Sequence, residues 1–163
     1  MFLQDDRERH KIGIVKFIIS CIYPNNFNVI INIRFYLFLE KTKLPTFIAY
    51  RILYHVHGME FAKNCKIGTG VHFPHPKGVL FTQGTEIERN CTVNGNVRFV
   101  GRHGKFPVIK ENVFIGDSAI LLGGVTIEKE VVIGAGSIVT KDFGPEVNIA
   151  GNPAKIINHY TKR

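Results

Sequence analysis

From Ile109 onward every sixth residue is aliphatic: Ile109, Ile115, Leu121, Ile127, Ile133 and Val139. The residues four further on, Val113, Ala119, Val125, Val131 and Ser137, are small or medium-sized, with Phe143 the exception. A helix repeats every 3.6 residues and a half-buried strand every two, so neither produces this period. A six-residue step marks a hexapeptide β-helix, in which each step makes one short strand and one corner. Three steps close a triangular coil, and the coils stack at the spacing of paired strands, about 4.8 Å. The aliphatics point into the prism, and glycine or small residues relieve the corners.

The same period runs earlier with two interruptions. Ile67, Phe73 and Val79 form one run; after a two-residue offset, Ile87, Val93 and Phe99 form another. Between Phe99 and Ile109 extra residues bulge out around "GRHGKFP". The reading is a mainly β fold: a left-handed parallel β-helix of about four coils at 59–144, after an N-terminal helical segment at 1–58. A C-terminal extension at 145–163 leaves the repeat through Gly144-Pro145 and Gly151-Asn152-Pro153 and packs its basic end on the last coil. In the N-terminal third, Val15, Ile18, Ile19 and Ile22 have helical spacing before "YPNN", and Val29–Lys41 is a second helix candidate. A third begins near Pro45 and ends before Gly58, with Ile48, Ile52 and His55 on one face.

Composition adds a bias of charge. Lys and Arg outnumber Asp and Glu by 21 to 13 in 163 residues, a formal charge of +8, which suits a polyanionic partner or a phosphate-rich cofactor. Zinc-finger spacing, an RNP stretch and basic heptads are missing, so nucleic acid is not the expected partner. Cys21, Cys65 and Cys91 are odd in number and widely spaced, which fits reduced thiols rather than a disulfide framework. The charged start "MFLQDDRERHK" reads as no export signal, so the expected location is cytoplasmic. The apolar stretches Ile12–Tyr23 and Val29–Leu39 are too short to span a bilayer, which takes about 20 residues, but are candidates for peripheral membrane contact.

The chemistry concentrates in "GVHFPHPKGVL", residues 70–80. With Ile67, Phe73 and Val79 inward, His75 lies two residues past an inward position and faces out. The frame extended back from Phe81 would bury Thr69 and His75, a poorer core. His72 and His75 have no Cys, Asp or Glu beside them at ligand spacing, so no metal is expected. An outward histidine between stiff prolines on a rigid scaffold suits general-base work, since imidazole changes charge near neutral pH. Such a base needs an orienting carboxylate. Glu60 is the first candidate, with Glu86 and Glu88 as alternatives.

These stretches resemble the hexapeptide-repeat O-acetyltransferases, and within them the serine acetyltransferase-like branch. The likeness rests on "KIGTGVHFPHPKGVLF", "IERNCTVNGNV", "FPVIKENVFIGDSAILLGGVTIEKEVVIGAGSIVTKD" and "AGNPAKII", together spanning residues 58–157. It implies that His75 is the catalytic histidine and Glu60 its carboxylate partner. It further implies a homotrimer that binds acetyl-CoA between adjacent prisms, through Gly116, Asp117, Gly134, Ala135, Thr140 and Lys141. Lys155 and Arg163 would meet the cofactor's phosphates. Two departures bear on the acceptor. Serine acetyltransferases have Asp before the catalytic histidine, where Pro74 stands, and Arg-His before the re-entrant proline, where Lys105-Phe106 stand. With His103 nearby and a mobile "GRHGK" loop, Phe106 suits a sugar face. The expected activity is therefore acetyl transfer to a sugar hydroxyl in surface-polysaccharide metabolism. L-Serine is the alternative acceptor, and a non-catalytic β-helix binding module is a third reading.

Overall fold

The computed structural model describes residues 26–159. The Ile12–Tyr23 stretch, Cys21 and Arg163 lie outside them. The chain opens with helices α1 (Asn26–Lys41) and α2 (Phe47–His55). It then winds through β1 (Glu60–Phe61), β2 (Lys66–Ile67), β3 (Leu80–Phe81), β4 (Glu86–Ile87), β5 (Thr92–Val93), β6 (Arg98–Val100) and β7 (Val108–Ile109). β8 (Phe114–Ile115), β9 (Ile120–Leu122), β10 (Thr126–Ile127), β11 (Val132–Ile133), β12 (Ile138–Val139), β13 (Val147–Gly151) and β14 (Ala154–His159) complete it.

These strands build three faces of a parallel β-helix. The first face stacks β1-β3-β6-β9-β12, the second β2-β4-β7-β10, and the third β5-β8-β11-β13-β14. Pairing is parallel throughout except for the closing β13–β14 hairpin. Each face contributes one inward column. Phe61, Phe81, Phe99, Leu121 and Val139 align on the first, and Ile67, Ile87, Ile109, Ile127 and Phe143 on the second. Phe143 broke the small-residue pattern because it is itself an inward residue, bridging Ile127. The residues at the other four-further positions, Val113, Ala119, Val125, Val131 and Ser137, are buried under the corners. Ser137 meets its hydroxyl's need by donating to the Gly134 carbonyl at 2.6 Å.

The first coil differs from the expected register. It starts at Phe61, one step before Ile67, and its extra two residues fall between Phe73 and Phe81, on the turn that carries His75. Phe81, not Val79, pairs with Phe99 in the inward column. Val79 is buried as well, but under the corner. At the far end the coil continues past Gly144, because β13 stacks in parallel on β11 before β14 folds back.

Most turns of the prism carry a residue with positive φ three positions before an inward residue. Asparagine fills it at Asn64, Asn90, Asn96 and Asn112, with φ between 55° and 60°. The short amide side chain tolerates this left-handed conformation, in which most side chains are strained. Such asparagines, as much as the glycines, allow short strands to alternate with sharp corners.

α1 closes the top of the prism. Some N–H groups of the first coil donate to carbonyls of the second, as Lys66 N does to Thr85 O and Gly68 N to Ile87 O, while others run the opposite way, as Asn90 N does to Thr69 O. β2 is the edge strand of its face, so the carbonyls on its outer side have no coil above them. Arg34 fills that gap on α1, donating Nη1 to Ile67 O and Nη2 to Gly68 O. Asn64 N donates to Glu40 Oε1 at 2.9 Å, and Tyr36 packs edge-on against Phe61 at 5.5 Å. Arg34→Met should cost about 1–3 kcal/mol for each carbonyl stranded, read as a lower urea midpoint at unchanged slope. An unchanged midpoint would mean that solvent already serves those carbonyls. α2 buries Ala49 and Leu53, not the Ile48–Ile52–His55 face, and leaves Ile48 70% exposed.

Candidate active site

His75 sits on the widened turn between the third and first faces. Pro74 and Pro76 flank it, Val79 N donates to Pro76 O, and Gly78 N donates to Gly58 O at 2.8 Å. The imidazole is exposed. His75 lies two residues past the inward Phe73, and the equivalent positions in the next coils are Gly95, Asp117 and Ala135. These form a column along one edge. Gly95 has no room for a side chain: an added Cβ would lie 2.8 Å from Asp117 Oδ1, 3.0 Å from His75 O and 3.5 Å from His75 Cβ. The bare Gly95 lets Asp117 approach the histidine's turn from below. Ser118 Oγ donates to Asp117 Oδ2 at 2.7 Å and steadies the carboxylate. Gly95 escaped the sequence reading, although its offset from Val93 matches that of His75 from Phe73.

Gly116, Asp117, Gly134 and Ala135 share the His75 edge. Gly116 is also held bare by the fold, since a Cβ there would lie 2.5 Å from Ala135 N. Thr140 and Lys141 do not share it. They follow β12 at the edge between the first and second faces, with Lys141 Nζ 5.5 Å from the Phe143 ring centroid. Lys155 is exposed on β14, opposite Ala150.

Glu60 lies on β1, exposed and in register with Leu80, where the chain leaves the His75 turn. Among the described residues no side-chain hydrogen bond joins it to His75. The alternatives are engaged elsewhere: Glu86 pairs with Lys66 across the second face and Glu88 with Lys110 at 2.9 Å. That face lies opposite the His75 edge, so neither orients this imidazole.

The "GRHGK" segment is a tight hairpin, not a free loop. Arg102 and Lys105 exchange backbone hydrogen bonds of 2.9 and 3.0 Å around His103 and Gly104, both at positive φ. That is the backbone of a primed two-residue turn. Phe106 is half-buried and fills the space over Gly84 and Gly101 instead of offering an open ring face. His103, Lys105 and Phe106 thus lie on the edge between the first and second faces. Within one chain the first face separates them from His75.

The buried titratable groups belong to the scaffold. Burial raises the Cys65 thiol to about 11, and its Sγ faces Thr82 O at 3.3 Å. Burial lowers His57, whose Nε2 lies 2.8 Å from Asn32 Nδ2. Cys65 and Cys91 are both buried and outside any disulfide.

Comparison with known proteins bears on this edge. The bacterial transferase hexapeptide family (six repeats) matches residues 106–141. A serine acetyltransferase of Buchnera aphidicola subsp. Schizaphis graminum is 32% identical over 124 residues, covering 73% of this chain and 47% of that protein. One from Synechococcus elongatus is 29% identical, covering 83% and 57%. The chain spans about half the length of these relatives. Among solved structures, the serine acetyltransferase of Neisseria gonorrhoeae aligns with a TM-score of 0.78 at 26% identity, covering 99% of this chain and 65% of that one. That of Brucella abortus in complex with coenzyme A aligns with a TM-score of 0.84 at 23% identity, covering 98% and 68%.

Proposed function

We propose that the chain is a hexapeptide-repeat protein of the serine acetyltransferase-like branch, an acetyl-CoA-dependent O-acetyltransferase with His75 as general base. The observation that carries the reading is the outward His75 on a pinned turn, heading a column of small residues. An imidazole nitrogen takes the proton of an acceptor hydroxyl while the oxygen attacks the thioester carbonyl. The carbon–sulfur bond breaks, the imidazolium returns its proton to the leaving sulfur, and coenzyme A departs as the thiol. Glu60, at the exit of the turn, is proposed as the carboxylate that orients the imidazole and offsets its charge.

The acceptor reading changes. The sugar hydroxyl expected from Phe106 finds no support: that ring is tucked over two glycines, and the relatives are serine acetyltransferases. L-Serine becomes the favoured acceptor, with Lys105 keeping a cation where the resemblance places arginine.

A single chain keeps His75 and the Lys105 hairpin on separate edges, which favours a homotrimer in which edges of neighbouring copies meet. Gly116, Asp117, Gly134 and Ala135 would line the groove on one side, Thr140 and Lys141 on the other. Lys155 would reach the phosphates of the donor. Ala135 is exposed on this edge, so Ala135→Trp should fill the groove without disturbing the core. Titration calorimetry with coenzyme A should show binding by wild type and at least tenfold weaker binding by the variant. A wild-type chain that ignores coenzyme A, or a variant that binds it as well, would overturn this placement of the donor.

A further inference from the structure

The top of the prism carries a feature that acetyl transfer does not use. Where α1 turns into α2, bulky apolar side chains face outward: Leu44 51% exposed, Phe47 66% and Ile48 70%. Phe35 and Phe38 on α1 and Tyr50, Tyr54 and Val56 on and beyond α2 are also exposed. Large exposed apolar groups clustered on one small element mark an interaction surface. The charge around them has one sign. From Asn26 to Met59 the cations are Arg34, Lys41, Lys43 and Arg51, and the only carboxylate is Glu40. Glu40 is turned toward the prism, accepting from Asn64 N, and Arg34 is spent there too, donating to the Ile67 and Gly68 carbonyls. Lys41 and Lys43 bracket the turn that presents Leu44, and the Arg51 guanidinium lies 5.5 Å over the Phe47 ring. Beneath the turn a cleft of about 610 Å³ is lined by Tyr36, Pro45, Phe47, Tyr50, Phe61 and Lys63. No helix among the described residues is long and apolar enough to cross a membrane.

We propose that this α1–α2 turn docks the protein on the surface of an anionic lipid bilayer. Phe47, Ile48 and Leu44 enter the headgroup region while Lys41, Lys43 and Arg51 meet the lipid phosphates. Aromatic and aliphatic groups flanked by cations are the side chains such an interface accepts. A purely apolar protein partner would leave Lys41, Lys43 and Arg51 unused. The inference does not depend on the identity of the acyl acceptor, nor on catalysis.

The test is cosedimentation of the full chain with vesicles of phosphatidylglycerol and phosphatidylcholine, beside vesicles of phosphatidylcholine alone. Wild type should bind the mixed vesicles, bind the neutral ones weakly, and come off as salt rises. Lys41→Gln/Lys43→Gln should weaken binding about 25-fold, roughly fivefold for each charge removed. Phe47→Ser/Ile48→Ser should abolish sedimentation while keeping the melting temperature and coenzyme A binding of wild type. No binding to the anionic vesicles at low salt would overturn the proposal. So would a serine pair that leaves vesicle binding intact, or one that alters only the mass in light scattering, which would make the turn a contact between copies.

Discussion

Replacing His75 with alanine should lower acetyl transfer by about 10²–10⁴-fold, the usual contribution of a positioned general base. The side chain is exposed on a turn held by Pro74, Pro76 and the Gly78–Gly58 hydrogen bond, none of which uses the imidazole. Its loss should therefore leave the melting temperature and coenzyme A binding unchanged. The effect belongs in kcat, because the proton is taken as the hydroxyl attacks and not when the acceptor binds. A variant that instead lost coenzyme A affinity while keeping turnover would assign His75 to binding and leave the base unidentified.

The second large effect is structural. Phe81 sits at the centre of an aromatic stack inside the first coils: its ring lies 4.9 Å from Phe61, 4.8 Å from Phe99 and 6.1 Å from Phe73, and it is 1% exposed. The rings are held by strands fixed above and below, so the surroundings collapse little when one is removed. Phe81→Ala should cost about 3–5 kcal/mol of folding stability. It should also loosen the His75 turn, because Val79 and Leu80 connect that turn directly to Phe81. Chemical denaturation gives the first quantity. The second would appear as faster amide exchange at Gly78, whose N–H is bonded to Gly58 O. A loss below about 1 kcal/mol would mean that Phe61 and Phe99 close over the gap.

The β-helix was legible because its period of six matches no other element, and the unbroken run from Ile109 to Val139 leaves a single frame. The first coils were harder to read. Val79 and Phe81 are both apolar and both buried, so a register based on apolarity accepts either. Only the pairing of Phe81 with Phe99 separates the strand position from the corner position. The same ambiguity hid the widening of the turn at His75. The outward placement of that histidine nevertheless follows in the frame preferred from sequence and in the observed one. Helix α2 misled for a different reason. Its buried face depends on how it lies against α1 and β1, which periodicity alone does not contain. The candidate site was legible in its residue types and partly in its grouping. His75, Asp117 and Ala135 fall in one column because they share an offset from inward residues. The Lys105 hairpin falls on another edge, and a single chain's sequence carries no signal for how two copies meet.

Acyl transfer by His75 is tested by release of coenzyme A from acetyl-CoA in the presence of L-serine. Wild-type protein should release the thiol in proportion to serine, with O-acetylserine as the co-product, and His75→Ala should fall to the background rate. Serine-dependent release that persists in His75→Ala at the wild-type rate would contradict the assignment of the base.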